Sequence, residues 1–277
     1  MRGQRALSLL LVAPALLILL ALFVYPLLYS LVTAFIGKDG AVTLANFYKS
    51  FEFYGTDIGY TVVIVGLSTG LIGVLAIAIG GYLVLGRNPR AVAVLKWLYR
   101  WPLFIPFIVA GQIMRQFLAK NGLMNNSLVS LGLLDAEQTV SFLDWQGLVI
   151  TFVWKQTPFV ALLVSGAMAS LDPATIEAAR NLGAKWWRIL IEIIVPQIRP
   201  TLVVGLILSF VTMMSVLSVP LMISGESPTL MTVDMAFRIN FYGDYGVANA
   251  LGVISYAMTG MVAWVYLRQG VRQAGQP

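Results

Sequence analysis

The feature that most constrains this chain is a series of six apolar segments, each about as long as a helix that crosses a bilayer, roughly 20 residues. They lie at about 6–36, 60–85, 97–118, 147–171, 201–223 and 247–267. Inside a bilayer every backbone polar group needs an internal partner, which a helix provides. The sequence therefore predicts an all-α, polytopic membrane protein with about six transmembrane helices.

The residue composition excludes several other classes of protein. Of the 277 residues, 59% are hydrophobic and 11% are charged, which is outside the usual range of a soluble domain. The chain has no cysteine and no histidine, so it lacks a thiol nucleophile and the commonest general base and zinc ligand. We therefore predict that it is not an enzyme and that it has no catalytic, cofactor-binding or metal-binding residues.

The N-terminal apolar segment follows the basic sequence MRGQR, as a secretory signal peptide would. Its apolar run is longer than that of a usual signal peptide, and no clear small-residue cleavage motif ends it. We interpret it as a retained membrane anchor, in which Pro14 and Pro26 are possible kinks.

The positive charges indicate how the chain is oriented. Cytoplasmic segments of membrane proteins are enriched in lysine and arginine, and twelve of the 18 such residues here fall on one side of the predicted spans. These are Arg2, Arg5, Arg87, Arg90, Lys96, Arg100, Arg180, Lys185, Arg188, Arg199, Arg268 and Arg272. Both termini and the segment between the fourth and fifth spans are thus predicted to be cytoplasmic.

The predicted outer segments, 38–59, 119–146 and 224–246, are longer than tight connections. Segments of this length usually have a binding or lid role. In the second of them Leu123, Leu128, Leu131 and Leu134 alternate with polar residues, which predicts a short interfacial helix. Since no repeat or linker is visible, residues 1–277 are predicted to form a single transmembrane domain.

The segment 172–196, which we name the elbow, lies between the fourth and fifth spans. Asp172 suits an N-cap, Pro173 suits the first helical position, and Gly183 suits the residue just past a helix end. A second short helix is predicted after Gly183 and is expected to end or bend at Pro196. In it the apolar side chains Trp187, Ile191 and Ile194 are expected to share one side.

The spacing within the elbow resembles a known signature. Glu177-Ala178-Ala179 is followed by three residues, Gly183, nine residues, Ile193, one residue and then Val195-Pro196. This pattern is similar to the EAA signature of membrane subunits of binding-protein-dependent ATP-binding-cassette importers, although that family usually has Leu-Pro at the end. The resemblance extends to YPLLYS, NGLMNNSL and VWKQTPF.

The resemblance implies the type I importer transmembrane fold, in a multi-pass protein of the bacterial inner membrane. It also implies three kinds of partner: a second permease subunit, expected to be a different chain, two ATPase subunits, and an extracytoplasmic solute-binding protein. The ATPase-docking residues implied are Glu177, Ala178, Ala179, Gly183 and Pro196. Because the chain has no GxxxxGK[ST] phosphate loop, ATP and magnesium are expected on the ATPase.

Polar residues inside the fourth and fifth spans are candidates for a solute pathway. Lys155, Gln156 and Thr157 lie in the fourth span beside Pro158. A charged side chain inside a membrane is energetically costly, so Lys155 is a candidate functional residue. Alternatively, Lys155 extends its amine to the outer interface beside Trp154. The candidates in the fifth span are Ser209, Thr212, Met213, Ser215 and Ser218. Their hydroxyls also suit ordinary helix packing.

The solute class is predicted from what the spans lack. None of the six predicted spans contains Asp or Glu, which disfavours cations and favours a carbohydrate or a related neutral or anionic solute. The sequence Asn181-Leu182-Gly183-Ala184 is more similar to polyamine and opine importers, so those solutes remain an alternative. A secondary transporter driven by an ion gradient is an alternative of another class, but it would need carboxylates or charge pairs near the membrane midplane.

Overall fold

The computed structural model describes residues 2–224 and 227–274, with side chains at 11–224 and 227–264. Within these ranges the chain is helical, and its β-structure is limited to an isolated bridge between Ile36 and Val42. The prediction of an all-α membrane protein is confirmed.

Thirteen α-helices are found in the described part of the chain. The first seven are α1 (Arg2–Leu19), α2 (Tyr25–Ala34), α3 (Ala45–Leu85), α4 (Pro89–Leu98), α5 (Phe107–Leu118), α6 (Leu123–Ser130) and α7 (Trp145–Ala169). The others are α8 (Pro173–Asn181), α9 (Trp186–Arg188), α10 (Val195–Ser215), α11 (Ser218–Ile223), α12 (Met231–Tyr242) and α13 (Tyr245–Ala274).

Five helical stretches in the described residues are long and apolar enough to cross a membrane. They are Leu11–Ala34, Ala45–Leu85, Trp145–Ala169, Trp186–Ser215 and Tyr245–Trp264. A bent pair of helices, Pro89–Phe104 and Phe107–Ser130, makes a sixth span if the two count as one. The sequence prediction of about six spans agrees with this range.

The third predicted span, 97–118, is not one continuous helix in the structure. The chain bends by 109° between Phe104 and Phe107. A short 3-10 helix, Trp101–Phe104, precedes the bend, and Pro106 is the N-cap of α5. Proline has no N–H group and disfavours a helical residue before it. The prolines of the sequence WPLFIP therefore break the span.

Helix α3 is longer than the predicted second span. It has 41 residues, or about 60 Å at 1.5 Å per residue, which is about twice the thickness of a bilayer core. The predicted outer segment 38–59 is therefore mostly helix from Ala45 onward. Glu52 and Asp57 belong to this helix, and Glu192 belongs to the spanning stretch Trp186–Ser215. The absence of Asp and Glu therefore holds for the predicted spans but not for the longer helices that the structure shows.

Two π-helical segments occur just before prolines. Leu20–Val24 precedes α2, which has Pro26 near its start, and Ile189–Ile194 precedes α10, which has Pro196 near its start. A wider helical turn relieves the clash between a proline ring and the carbonyl four residues earlier. The helix was predicted to end or bend at Pro196; it does not end there, because it continues from the π segment into α10.

The fifth span differs from its prediction at both ends. It begins at Trp186 rather than near residue 201, and it ends at Ser215. Val216 has extended backbone, and α11 starts after Leu217. The π segment also changes which side chains face inward: Ile194 is buried, whereas Trp187 and Ile191 are exposed. The expected common side of these three residues is not found.

The chain divides into two compact units, residues 1–55 with 234–257 and residues 56–233 with 258–277. In the first unit the Asn46 amide donates to the carbonyls of Ala34 and Ile36, at 3.0 and 2.9 Å. Its Arg238 guanidinium lies over three aromatic rings, about 5 Å from each centroid. The single domain predicted for residues 1–277 stays a prediction.

The second unit contains a core of helices that pack around α7. Helix α7 packs against α5, α10 and α11. Its Phe152 and Val164 are fully buried, as are Ile72 of α3 and Val219 of α11. At Gly205 of α10, a Cβ atom would lie 3.3 Å from Val160, so α7 and α10 approach closely at this glycine. This core packs together α7 and α10, the two helices that carry the candidate solute-pathway residues.

Candidate ATPase-docking site and solute pathway

The elbow begins with α8, whose two ends are capped as predicted. The Asp172 carboxylate accepts a hydrogen bond from the Ala174 N–H at 2.9 Å, with Pro173 as the first helical residue. Gly183 has a φ of 79°, which glycine adopts without the steric penalty of a side chain. The Ala184 N–H donates to the carbonyl of Ala179 at 3.0 Å and closes the helix end.

The predicted docking residues fall on different faces of the elbow. Glu177 and Ala178 are exposed on α8, but Ala179 is 9% exposed and belongs to the core of the second unit. Pro196 is exposed near the start of α10. Ala179 therefore lets α8 pack closely on its own subunit, whereas Glu177 and Ala178 are available to a partner.

Two further residues of the elbow, which the sequence did not mark as docking residues, define this surface and its attachment. Leu182 is 89% exposed at the end of α8, where an apolar side chain in water is unfavourable. The Arg180 guanidinium donates to the carbonyl of Leu85, the last residue of α3, at 3.4 Å. The position of Leu182 directly before Gly183 was the available signal for an exposed apolar tip.

A groove of about 340 Å³ adjoins α8. Its lining includes Leu182, Gly183 and Ile189, and it also includes Arg188 and Glu192. The last two form an ion pair one helical turn apart, with Arg188 Nε 2.8 Å from Glu192 Oε1. The elbow thus has an exposed apolar side chain, Leu182, beside a groove whose lining includes an ion pair.

Lys155 lies within the core of the second unit and is 6% exposed. Its amine donates to the carbonyls of Pro102 and Leu103, at 2.8 and 3.3 Å, and lies 5.0 Å from the centre of the Phe107 ring. A helix break inside a membrane leaves backbone carbonyls that need donors. Lys155 supplies those donors to two carbonyls at the break of the third span. Its amine therefore does not extend to the outer interface beside Trp154, contrary to the alternative interpretation.

The other polar residues of the fourth span are also buried. Gln156 and Thr157 are 6% and 7% exposed, and α7 continues through Pro158. Within the described residues the Thr157 hydroxyl has no hydrogen-bond partner. A role for Lys155, Gln156 and Thr157 in a solute pathway stays a prediction.

The hydroxyl residues of the fifth span do not form one continuous stripe. Ser209 and Met213 are buried, and the Ser209 hydroxyl has no partner in the described part of the chain. The hydroxyls of Thr212 and Ser215 donate to carbonyls of their own helix. Ser218 lies beyond the break, at the start of α11. Steps of three residues rotate around a helix, which separates these side chains.

A family model for binding-protein-dependent transport system inner membrane components matches residues 72–268. This range covers both the elbow and α7. The chain belongs to that family. It is therefore a multi-pass permease subunit of a binding-protein-dependent importer, and membership decides against the ion-gradient-driven secondary transporter.

The permease is similar to curated proteins over most of its length. It is 28% identical to the sulfoquinovosyl glycerol transport system permease protein SmoG of Agrobacterium fabrum, over 96% of this chain and 91% of that protein. It is 28% identical to the trehalose/maltose transport system permease protein MalF of Thermococcus litoralis, over 68% of this chain and 65% of that protein. It is 26% identical to the spermidine/putrescine transport system permease protein PotB of Escherichia coli, over 90% of this chain and 93% of that protein.

The fold of the permease matches a solved importer. A chain from the crystal structure of a bacterial ABC transporter involved in the import of the acidic polysaccharide alginate superposes with a TM-score of 0.80. The match covers 98% of this chain and 96% of that one, at 21% identity. The predicted type I importer fold is thus confirmed.

Proposed function

We propose that the permease forms part of the membrane pathway of an ATP-driven carbohydrate importer. The observation that carries the proposal is the elbow, where α8 exposes Glu177, Ala178 and Leu182 while its other face is fastened to its own subunit. The curated relatives named for sulfoquinovosyl glycerol and for trehalose/maltose support a carbohydrate as the solute. ATP and magnesium are held by two separate ATPase subunits, and a second permease subunit completes the pathway.

The connections of α8 give the proposed coupling a physical route. Only three residues, 170–172, separate α8 from α7, and the Arg180 bond joins α8 to the end of α3. Helix α8 also packs against the π segment that leads into α10. A displacement of α8 by the ATPases therefore moves the ends of three membrane helices together. Transport requires that ATP binding favours one arrangement of these helices over the other.

The docking proposal is tested by replacing the exposed tip. We expect Leu182→Asp to abolish copurification of the ATPase with an affinity-tagged permease, because a carboxylate cannot replace an apolar contact. The matched control is Leu133→Asp, since Leu133 is also exposed but lies far from the elbow in sequence, after α6. Full retention of the ATPase by Leu182→Asp, with normal uptake, would contradict the docking role.

A polyamine importer is a second candidate function, because the relative PotB is a spermidine/putrescine permease. The two candidates are separated by the ATPase activity of the assembled complex with its binding protein. We expect stimulation when the binding protein is loaded with trehalose or maltose and none when it is loaded with spermidine. The reverse result would establish the polyamine alternative and remove the carbohydrate proposal.

A further inference from the structure

A second pocket lies at the end of α7 that is remote from the elbow. It has a volume of about 500 Å³, which is within the range of small-molecule sites. Trp145 is the first residue of α7, and α8 follows the other end of that helix, about 37 Å away along its 25 residues. The distribution of positive charge predicts that this pocket opens on the extracytoplasmic side, where the binding protein delivers solute.

The pocket wall combines aromatic faces with groups of both charges. Its lining includes Tyr60, Trp145, Arg115 and Asp144, together with the hydroxyl-bearing Ser141. Trp145 is 47% exposed, so part of its ring is accessible. Apolar ring faces of this kind pack against the C–H faces of a sugar, while polar groups at the rim fix its orientation.

The two charged residues are held in place without neutralising each other. Arg115 Nη1 donates to the carbonyl of Met222 at 3.0 Å, and Asp144 Oδ1 accepts from the Gln146 N–H at 2.8 Å as the N-cap of α7. Among the described residues neither charge takes part in a salt bridge. The Gln146 side-chain amide also donates to both Asp144 oxygens, at 3.0 and 2.8 Å. The guanidinium keeps further N–H donors, and the carboxylate keeps acceptor capacity on Oδ2 for a ligand.

Donors and acceptors of opposite charge suit a neutral polyhydroxylated ligand. Each sugar hydroxyl both donates and accepts, so one ring can bond the carboxylate and the guanidinium together. A polyamine would be repelled by Arg115 and attracted by Asp144, and a uronate the reverse, so the two charges together favour neither ion, whereas a neutral sugar uses both groups as hydrogen-bond partners. We propose that this pocket is an entry subsite for one neutral sugar ring as it leaves the binding protein, an inference that rests on the proposed carbohydrate import.

The absence of cysteine in the chain allows a direct test. In the assembled importer, Ser141→Cys is modified with a membrane-impermeant thiol reagent in the presence of methyl α-D-glucopyranoside, trehalose, maltose or spermidine. We expect at least one of the sugars, but not spermidine, to slow the modification by about threefold or more, as occupancy of most sites requires. The control Ser130→Cys lies on α6 outside the pocket and should react at the same rate in every case.

A second pair of variants tests the aromatic contact. In the Ser141→Cys background, Trp145→Ala should weaken protection by about tenfold in sugar concentration, equivalent to ~1.4 kcal/mol. Trp145→Phe keeps an aromatic face and should retain most of the protection. Equal loss in both variants, or none in either, would overturn the assignment of this ring as the sugar contact.

Uptake of trehalose and maltose by the same complexes separates the two proposals. Sugar uptake without any protection of Ser141→Cys would remove the entry subsite and leave carbohydrate import intact. Uptake of spermidine instead of sugar would remove both. Protection by the unloaded binding protein alone, independent of sugar, would make the pocket a protein contact and so refute the sugar subsite.

Discussion

Replacing Lys155 by methionine is expected to lower the free energy of unfolding of the permease by about 2–4 kcal/mol. The change keeps the side-chain volume but removes two hydrogen bonds, at 2.8 and 3.3 Å, and a cation–π contact at 5.0 Å. The Pro102 carbonyl still accepts from the Ile105 N–H, but the Leu103 carbonyl loses its ammonium donor.

The magnitude follows from these contacts. An unsatisfied buried carbonyl costs about 1–3 kcal/mol, a hydrogen bond to a charged group contributes about 1.5–3 kcal/mol, and a buried cation–π contact adds roughly 1–2 kcal/mol. The desolvation of the buried ammonium, which the methionine variant no longer suffers, offsets part of this sum. A net loss of a few kcal/mol remains.

The assay is reversible unfolding in mixed micelles with increasing SDS, followed by helical circular dichroism. Lys155→Arg should recover part of the loss, because it keeps the charge and the donors. The control is Lys120→Met, since Lys120 is exposed and its amine forms no hydrogen bond within the described residues. A Lys155→Met protein as stable as the native one would refute the role at the break. If that stable variant also lost transport, the solute-pathway prediction for Lys155 would gain support instead.

Three further predictions concern two glycines and one buried amide side chain. Gly183→Val should cost about 1–2 kcal/mol at a φ of 79° and abolish ATPase copurification, with binding of the solute-binding protein retained. Asn125→Ala should raise hydrogen exchange in α6 by about tenfold or more, because the buried Asn125 amide donates to three backbone carbonyls. Gly147→Ala should reduce the yield of folded protein sharply, because the new Cβ would overlap the Phe142 carbonyl oxygen, while Gly66→Ala, with open space around it, should not.

The outcomes that would contradict these predictions differ. For Gly183, normal uptake by the valine variant would show that the elbow functions without the left-handed backbone conformation at this position. For Asn125, unchanged exchange would mean that water replaces the amide. For the glycine pair, equal yields of Gly147→Ala and Gly66→Ala would show that the backbone beside Phe142 moves freely.

The elbow shows how far local sequence signals reach. The caps at Asp172 and Gly183 depend on neighbouring residues alone, so the sequence predicted them correctly. Whether a residue of α8 faces a partner depends on what packs behind it. For that reason the sequence grouped Ala178 with Ala179, although the structure buries the second, and it overlooked Leu182.

The sequence by itself determined that the chain is a membrane protein, where most of its spans lie, and the family to which it belongs. Hydropathy, capping and motif spacing are properties of short segments, and they survive without knowledge of the fold. The break of the third span also has a local cause, in the prolines at 102 and 106. The sequence did not reveal the direction of the bend or that Lys155 would donate hydrogen bonds to it.

Only the tertiary structure decided how the polar residues in the membrane are used. Lys155 and Pro102 are 53 positions apart, and the amine meets the carbonyl because α7 packs beside the broken span. The pocket at Trp145 likewise collects residues from α3, α5 and the start of α7. A buried charge takes the partners that packing brings to it, so its role follows from contacts that are distant in sequence.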